Sequence, residues 1–220
     1  MKPVDVVCII DRSGSMSSIV EDSIGGFNTF LEQQKQIPDD ALFTLVLFDH
    51  EYIMVHDRIP LVQAETLSKA TYVPRGQTAL LDAIGRTIEH TAEQRKETKA
   101  PIENRMSIVE VDGDSKKEET KPTAIVAILT DGLENASKDY TRSRIQEMIK
   151  EREDKDGWQF VFLGAGLGSI KEAMTLGVQT KMTKNFAHTA VGTQSAFSSM
   201  NDAVSSYRTS GKVDDKWNEE

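Results

Sequence analysis

Val4-Asp5-Val6-Val7-Cys8-Ile9-Ile10-Asp11-Arg12-Ser13-Gly14-Ser15 is the stretch on which the reading of this chain turns. The run from Val4 to Ile10 is almost continuously apolar, the pattern of a strand buried on both faces, as in a parallel sheet covered by helices. It stops at a carboxylate, Asp11, and two hydroxyls follow at alternate positions, Ser13 and Ser15. Alternate residues in a loop leaving a strand can point to one side, and Gly14 permits a tight backbone path. One carboxylate and two hydroxyls can thus surround a point. Such oxygens are hard donors, suited to Mg²⁺ or Mn²⁺ and unsuited to thiolate-seeking metals.

Three further apolar runs, Leu42 to Phe48, Ala124 to Leu129 and Trp158 to Leu163, read as strands of the same kind. A segment at Tyr52 to Val55 follows its predecessor after so short a connection that only a hairpin fits, which makes it an antiparallel edge strand. Val178 to Met182 reads as a last strand. Helical periodicity lies between the runs. Val20, Ile24, Phe27 and Leu31 recur at helical spacing, with Gly25 and Gly26 explicable as close packing on the sheet. Leu81, Ile84 and Ile88 mark a helix over about 78–97, Ile145, Met148 and Ile149 a third, Ile170 to Met174 a short one, and Phe197, Met200 and Val204 a final one over 189–208. Strands alternating with helices predict an α/β layered fold with a mostly parallel sheet and helices on both faces. The expected organisation is one domain over 1–208, a surface excursion at 99–122 and a flexible tail over 209–220.

The strand ends carry the chemistry. The first run leads into Asp11, the second into Asp49, and that at Ala124 to Leu129 into Thr130-Asp131-Gly132. Carboxylates at the carboxyl ends of parallel strands collect in the crevice where open α/β sheets bind ligands. If the strand order reverses there, Asp11 faces Asp131, and a cation is the simplest remedy for two close carboxylates. Thr78, in Gly76-Gln77-Thr78-Ala79-Leu80, offers a third hydroxyl where a loop feeds a helix.

Asp11-x-Ser13-x-Ser15, Gly-x-Thr78 before a helix and Leu-Thr-Asp131-Gly after a strand, in this order, resemble the metal-ion-dependent adhesion site of von Willebrand factor A domains. The resemblance covers about residues 4–182, without a departure at the five site positions. It implies a three-layer α/β/α, Rossmann-like fold with a short antiparallel edge strand. It implies that Ser13 and Ser15 ligate Mg²⁺ or Mn²⁺ directly, that Thr78, Asp11 and Asp131 do so directly or through water, and that a partner protein's Asp or Glu carboxylate fills an open position. Asp49 and Asp82 are candidates for an outer layer that orients ligands, although Asp82 also reads as plain helix surface. Residues 74–86 and 192–207 look more like small stand-alone bacterial and phage members than like animal adhesion domains.

Composition narrows the classes. A formal net charge of -9 disfavours nucleic-acid binding, which needs clustered Lys and Arg. No apolar stretch approaches membrane-spanning length, and Met1-Lys2-Pro3 running into a strand argues against a signal peptide, so the expectation is a cytoplasmic protein without membrane association. The single cysteine, Cys8, reads as a small buried hydrophobe. His50, His56, His90 and His188 are scattered without metal-ligand spacing, and Gly164-Ala165-Gly166-Leu167-Gly168 reads as a turn. The enzyme readings are weaker. A phosphoaspartate hydrolase needs a second acid where Ser13 stands, and neither a P-loop nor a nucleophile elbow is present. The reading is a metal-dependent protein-interaction module and not an enzyme. The alternatives are a metal-dependent phosphoester hydrolase or transferase and an interaction module whose metal site is idle.

Overall fold

The structure, a computed structural model, describes residues 3–97 and 124–219. The expected excursion at 99–122 lies outside them. In chain order the elements are β1 (Val4–Asp11), α1 (Val20–Lys35), β2 (Ala41–Phe48), β3 (Tyr52–Pro60), α2 (Leu80–Glu97), β4 (Ala124–Thr130), α3 (Arg142–Glu151), β5 (Gln159–Ala165), α4 (Gly166–Thr175), β6 (Thr183–Phe186) and α5 (Ala190–Ser210). They form one sheet of order β3-β2-β1-β4-β5-β6. Every neighbouring pair is parallel except β2 and β3, which form the antiparallel edge. The mostly parallel sheet with one antiparallel edge strand, flanked by helices, is the architecture expected from the alternation of runs and helical stripes.

The two-fold period of β1 divides its side chains between two cores. Val6, Cys8 and Ile10 point to the face covered by Phe27, Phe30 and Leu31 of α1 and Phe197, Met200 and Val204 of α5. Val7 and Ile9 point to the face covered by Ile84 and Ile88 of α2, Ile145 and Ile149 of α3, and Ala173 of α4. Burial on both faces is why β1, β2, β4 and β5 read as apolar runs. It also pushes the Cys8 thiol pKa well above the usual range, so this thiol is inert packing. Gly26 serves a different contact from the one expected. A Cβ there would lie 2.3 Å from Phe197, so the glycine admits α5 against α1 instead of packing on the sheet.

Three boundaries differ from expectation for physical reasons. The last strand is Thr183–Phe186, not Val178–Met182, because the Val178 N–H donates to the Ala173 carbonyl to close α4 and residues 180–182 form a 3₁₀ turn. The edge strand β3 runs on to Pro60, with a register irregularity between Phe43 and Val46 of its partner. The tail expected to be flexible over 209–220 is docked through its middle. Val213 and Trp217 are buried, and the Trp217 indole N–H donates to the Lys181 carbonyl (2.9 Å). A buried indole ring removes enough apolar surface from water to hold a polar segment in place.

The sheet order sets the site. The chain moves from β1 to β2 on one side, and β4 takes up the other side of β1. This reversal opens a crevice at the carboxyl ends of β1 and β4. The loops that follow β1 and β4 meet there, together with the loop that leads into α2.

Candidate functional site

Asp11, the last residue of β1, is fully buried, and both of its carboxylate oxygens are held. Oδ1 accepts from the Ser13 N–H (2.6 Å), and Oδ2 accepts from the hydroxyl of Thr130, the last residue of β4 (2.5 Å). Its carbonyl accepts from the buried Tyr72 hydroxyl (2.6 Å). Past Asp11 the backbone turns so that Ser13 Oγ and Ser15 Oγ stand 3.0 Å apart, and Ser15 Oγ donates to Asp131 Oδ1 (2.6 Å). Residues far apart in sequence thus form one chain of oxygens across the β1–β4 crevice.

Thr78 approaches from the third loop. The Gly14 N–H donates to the Gly76 carbonyl (3.1 Å), and the Arg75 N–H to the Arg12 carbonyl (2.9 Å), which fixes this loop against the one after β1. A Cβ on Gly132 would fall 2.8 Å from Thr78 Oγ1 and 3.6 Å from Asp11 Oδ2, so the glycine lets the loop after β4 approach the Thr78 hydroxyl closely. Thr78 is 3% exposed, and among the described residues its hydroxyl makes no hydrogen bond.

The first turn of α2 is capped by other loops, and this locks the loops into one body. The Thr78 N–H donates to Asn135 Oδ1, the Ala79 N–H to the Asp49 carbonyl, the Leu81 N–H to Glu134 Oε2 and the Asp82 N–H to Ser137 Oγ. The Asp82 carboxylate in turn accepts the backbone N–H groups of Lys138, Asp139 and Tyr140 (2.9–3.0 Å). Orphan N–H groups at a helix start must find acceptors, and here the loop bearing Asp131 supplies most of them. Asp82 is therefore buried by this contact. It orients the Asp131 loop through backbone and is not the exposed helix residue that its position also allowed. Asp49 is likewise occupied. It takes Arg12 at 3.0 Å and Arg75 at 3.1 Å, and its tie to the site runs through its carbonyl.

Charge at the crevice is one-sided. Arg12 and Arg75 are spent on Asp49 and Glu51, and among the described residues no Lys or Arg pairs with Asp11 or Asp131. Burial pushes the Asp11 carboxyl up to about 6; the hydrogen bonds from Thr130 and Ser13 pull against that, and the nearby charge of Asp131 adds to it. An anion kept from water beside a second anion lacks a counter-charge.

The structure brings Asp11, Ser13, Ser15, Thr78 and Asp131 to one place. It adds residues that motif spacing did not show: Thr130 and Tyr72 on Asp11, Asn135 and Glu134 on the α2 start, and His188, whose Nε2 lies 2.8 Å from Asp131 Oδ2. Among the described residues no three His, Cys, Asp or Glu side chains cluster as a metal group. The donors gathered here are mostly neutral hydroxyls with two carboxylates, a set that fits a small hard cation and not a soft one.

No protein-family model and no curated protein matches the chain. Solved structures do. The chain is similar to the vWF domain of the type V pili tip protein Mfa5 from Porphyromonas gingivalis, at 13% identity and TM-score 0.61, over 97% of this chain and 98% of that one. It is similar to proximal thread matrix protein 1 from the mussel byssus with a zinc-occupied MIDAS motif, at 17% identity and TM-score 0.51, over 83% of this chain and 41% of that one. It is similar to the manganese-loaded TRAP protein of Plasmodium vivax, at 14% identity and TM-score 0.52, over 88% of this chain and 72% of that one. The chain spans less than half the length of the mussel protein. These likenesses show the fold: the chain has the Rossmann-like α/β fold of von Willebrand factor A domains.

Proposed function

We propose that the chain is a protein-interaction module whose grip depends on a divalent cation, Mg²⁺ or Mn²⁺, held by Ser13, Ser15 and Thr78 with Asp11 and Asp131. The observation that carries this reading is the linked set Ser13 Oγ, Ser15 Oγ and Asp131 Oδ1, with the unbonded hydroxyl of Thr78 packed beside Gly132, the residue that follows Asp131. The Thr78 hydroxyl makes no hydrogen bond among the described residues and is not sealed from solvent, so its lone pairs are free to meet a cation. Zinc- and manganese-bearing structures of the same fold support the choice of a divalent ion.

Each residue has a distinct part. Ser13, Ser15 and Thr78 present neutral oxygens. Asp11, with both oxygens already held, works from behind the hydroxyls and balances charge. Asp131 lends Oδ1 to the hydroxyl set. Bound there, the cation would supply an electrophile still able to take one more carboxylate, that of an Asp or Glu on a partner protein. Binding is the reading preferred to phosphoester chemistry, because the serine hydroxyl that donates to a carboxylate of the crevice, Ser15 to Asp131, is itself among the proposed cation ligands.

The test is a titration with a defined probe. Mn²⁺ binding is measured calorimetrically for the wild-type chain and for Ser13→Ala/Ser15→Ala, and each is then titrated with a short glutamate-bearing peptide. The expected result is Mn²⁺ binding by the wild type alone, with peptide binding that EDTA abolishes. Equal Mn²⁺ affinity in the double variant would refute the site. Peptide binding that persists in EDTA would refute the metal bridge.

A further inference from the structure

We infer that His188 belongs to this site as a positioning residue: it holds the outer oxygen of Asp131 so that the inner one stays turned to the hydroxyls. The inference rests on the metal-dependent reading above and deepens it. His188 lies in the short loop between β6 and α5, far from every motif in sequence. The pairing of β6 beside β5, and of β5 beside β4, delivers that loop to the carboxyl end of β4. There His188 Nε2 stands 2.8 Å from Asp131 Oδ2, and the Asp131 side chain is 2% exposed. A cleft of about 470 Å³ opens at this point, with Ser15, Asp131, Phe186 and His188 among its walls.

The division of the Asp131 oxygens carries the argument. Oδ1 takes the Ser15 hydroxyl, and the imidazole Nε2 lies against Oδ2 at 2.8 Å. His188 therefore sits at the oxygen that Ser15 does not use and leaves the other one to the hydroxyls. Asp11 is held in the same manner, with Thr130 on Oδ2 and Ser13 on Oδ1. The two carboxylates of the crevice are thus each braced from behind by a side chain on a neighbouring element. A carboxylate with one oxygen fixed loses less rotational freedom when the other meets a ligand. Outer partners of this sort typically change metal affinity about 10- to 100-fold when removed.

Mn²⁺ itself is the probe, and the full chain is used. Free Mn²⁺ is counted by electron paramagnetic resonance for wild type, His188→Ala, His188→Gln, Asp131→Ala and the double variant His188→Ala/Asp131→Ala. The expected result is an affinity about tenfold weaker in His188→Ala, largely restored in His188→Gln, whose amide nitrogen can reach the same oxygen. In the Asp131→Ala background the His188→Ala change should have no further effect. The spin-echo spectrum of the wild-type complex should show no nitrogen coupling, since the imidazole acts through Asp131. Unchanged affinity in His188→Ala overturns the inference. Tighter binding overturns it too, because His188 would then compete with the ion. Nitrogen coupling would make His188 a ligand and not a positioning residue. A wild-type chain that binds no Mn²⁺ sinks the underlying site reading, and the inference with it, which is a different result from the three before.

Discussion

Replacing Asp11 by Asn should relieve a cost that the metal-free fold carries at neutral pH. Burial raises this carboxyl to about 6 from an ordinary 3.8. The sign follows from proton linkage. Between those two values the folded state holds a proton that the unfolded state has released, so stability rises as pH falls from 7 toward 4. The shift corresponds to about 3 kcal/mol in full, of which about 2 kcal/mol is gained between pH 7 and pH 4.5. Asn fits the same geometry. Its oxygen can accept from the Ser13 N–H and its amide can donate to Thr130 Oγ1, whose hydroxyl can rotate to suit. The assay is urea denaturation in EDTA of wild type and Asp11→Asn at both pH values. The quantity of interest is the change with pH in the difference between the two proteins, in which other titrating groups cancel. Wild type should gain on the variant by about 2 kcal/mol on acidification. Saturating Mn²⁺ at pH 7 should stabilise the wild type and leave the variant nearly unmoved. A wild-type-minus-variant difference that stays constant with pH would refute the account of a buried, charge-starved Asp11.

Further outcomes follow from the packing. Tyr72→Phe removes the hydroxyl that donates to the Asp11 carbonyl and leaves a buried acceptor unpaired, at a cost of about 1–3 kcal/mol by chemical denaturation; no loss would mean that the hydroxyl does not brace the β1 end. Gly25→Ala has open space around it and should stabilise α1 by about 1 kcal/mol, whereas Gly26→Ala meets Phe197 and should destabilise the fold by about 1–3 kcal/mol; melting curves that moved both variants the same way would contradict the α1–α5 contact. Trp217→Ala should cost about 3–5 kcal/mol, against almost nothing for a free tail, and thermal melting separates the two cases.

What could be read in advance was what is buried on both sides. The Val4–Ile10, Leu42–Phe48, Ala124–Leu129 and Trp158–Leu163 runs each became a strand because interior parallel strands have no polar face to interrupt the pattern. That the five oxygen-bearing residues would converge was legible because the fold puts strand ends and their loops in one crevice, so local motifs carry three-dimensional meaning. Thr183–Phe186 escaped because an edge strand written Thr-Lys-Asn-Phe has one apolar residue for a pattern to catch. Trp217 escaped because a lone ring in a polar segment says nothing about where it docks. Asp82 could not be settled from sequence, since a carboxylate on the first turn of a helix is ordinary surface unless another loop folds over it, as residues 138–140 do here. His188 had no local signal: its link to Asp131 exists only through the lateral order of β4, β5 and β6.

The location of a bound Mn²⁺ ion tests the central claim most directly. Crystals soaked in Mn²⁺ and measured at the manganese absorption edge should give one strong anomalous peak between Ser13 Oγ, Ser15 Oγ and Thr78 Oγ1, with Asp131 beside it. A peak elsewhere on the surface, or none at the β1–β4 crevice at saturating Mn²⁺, would contradict it.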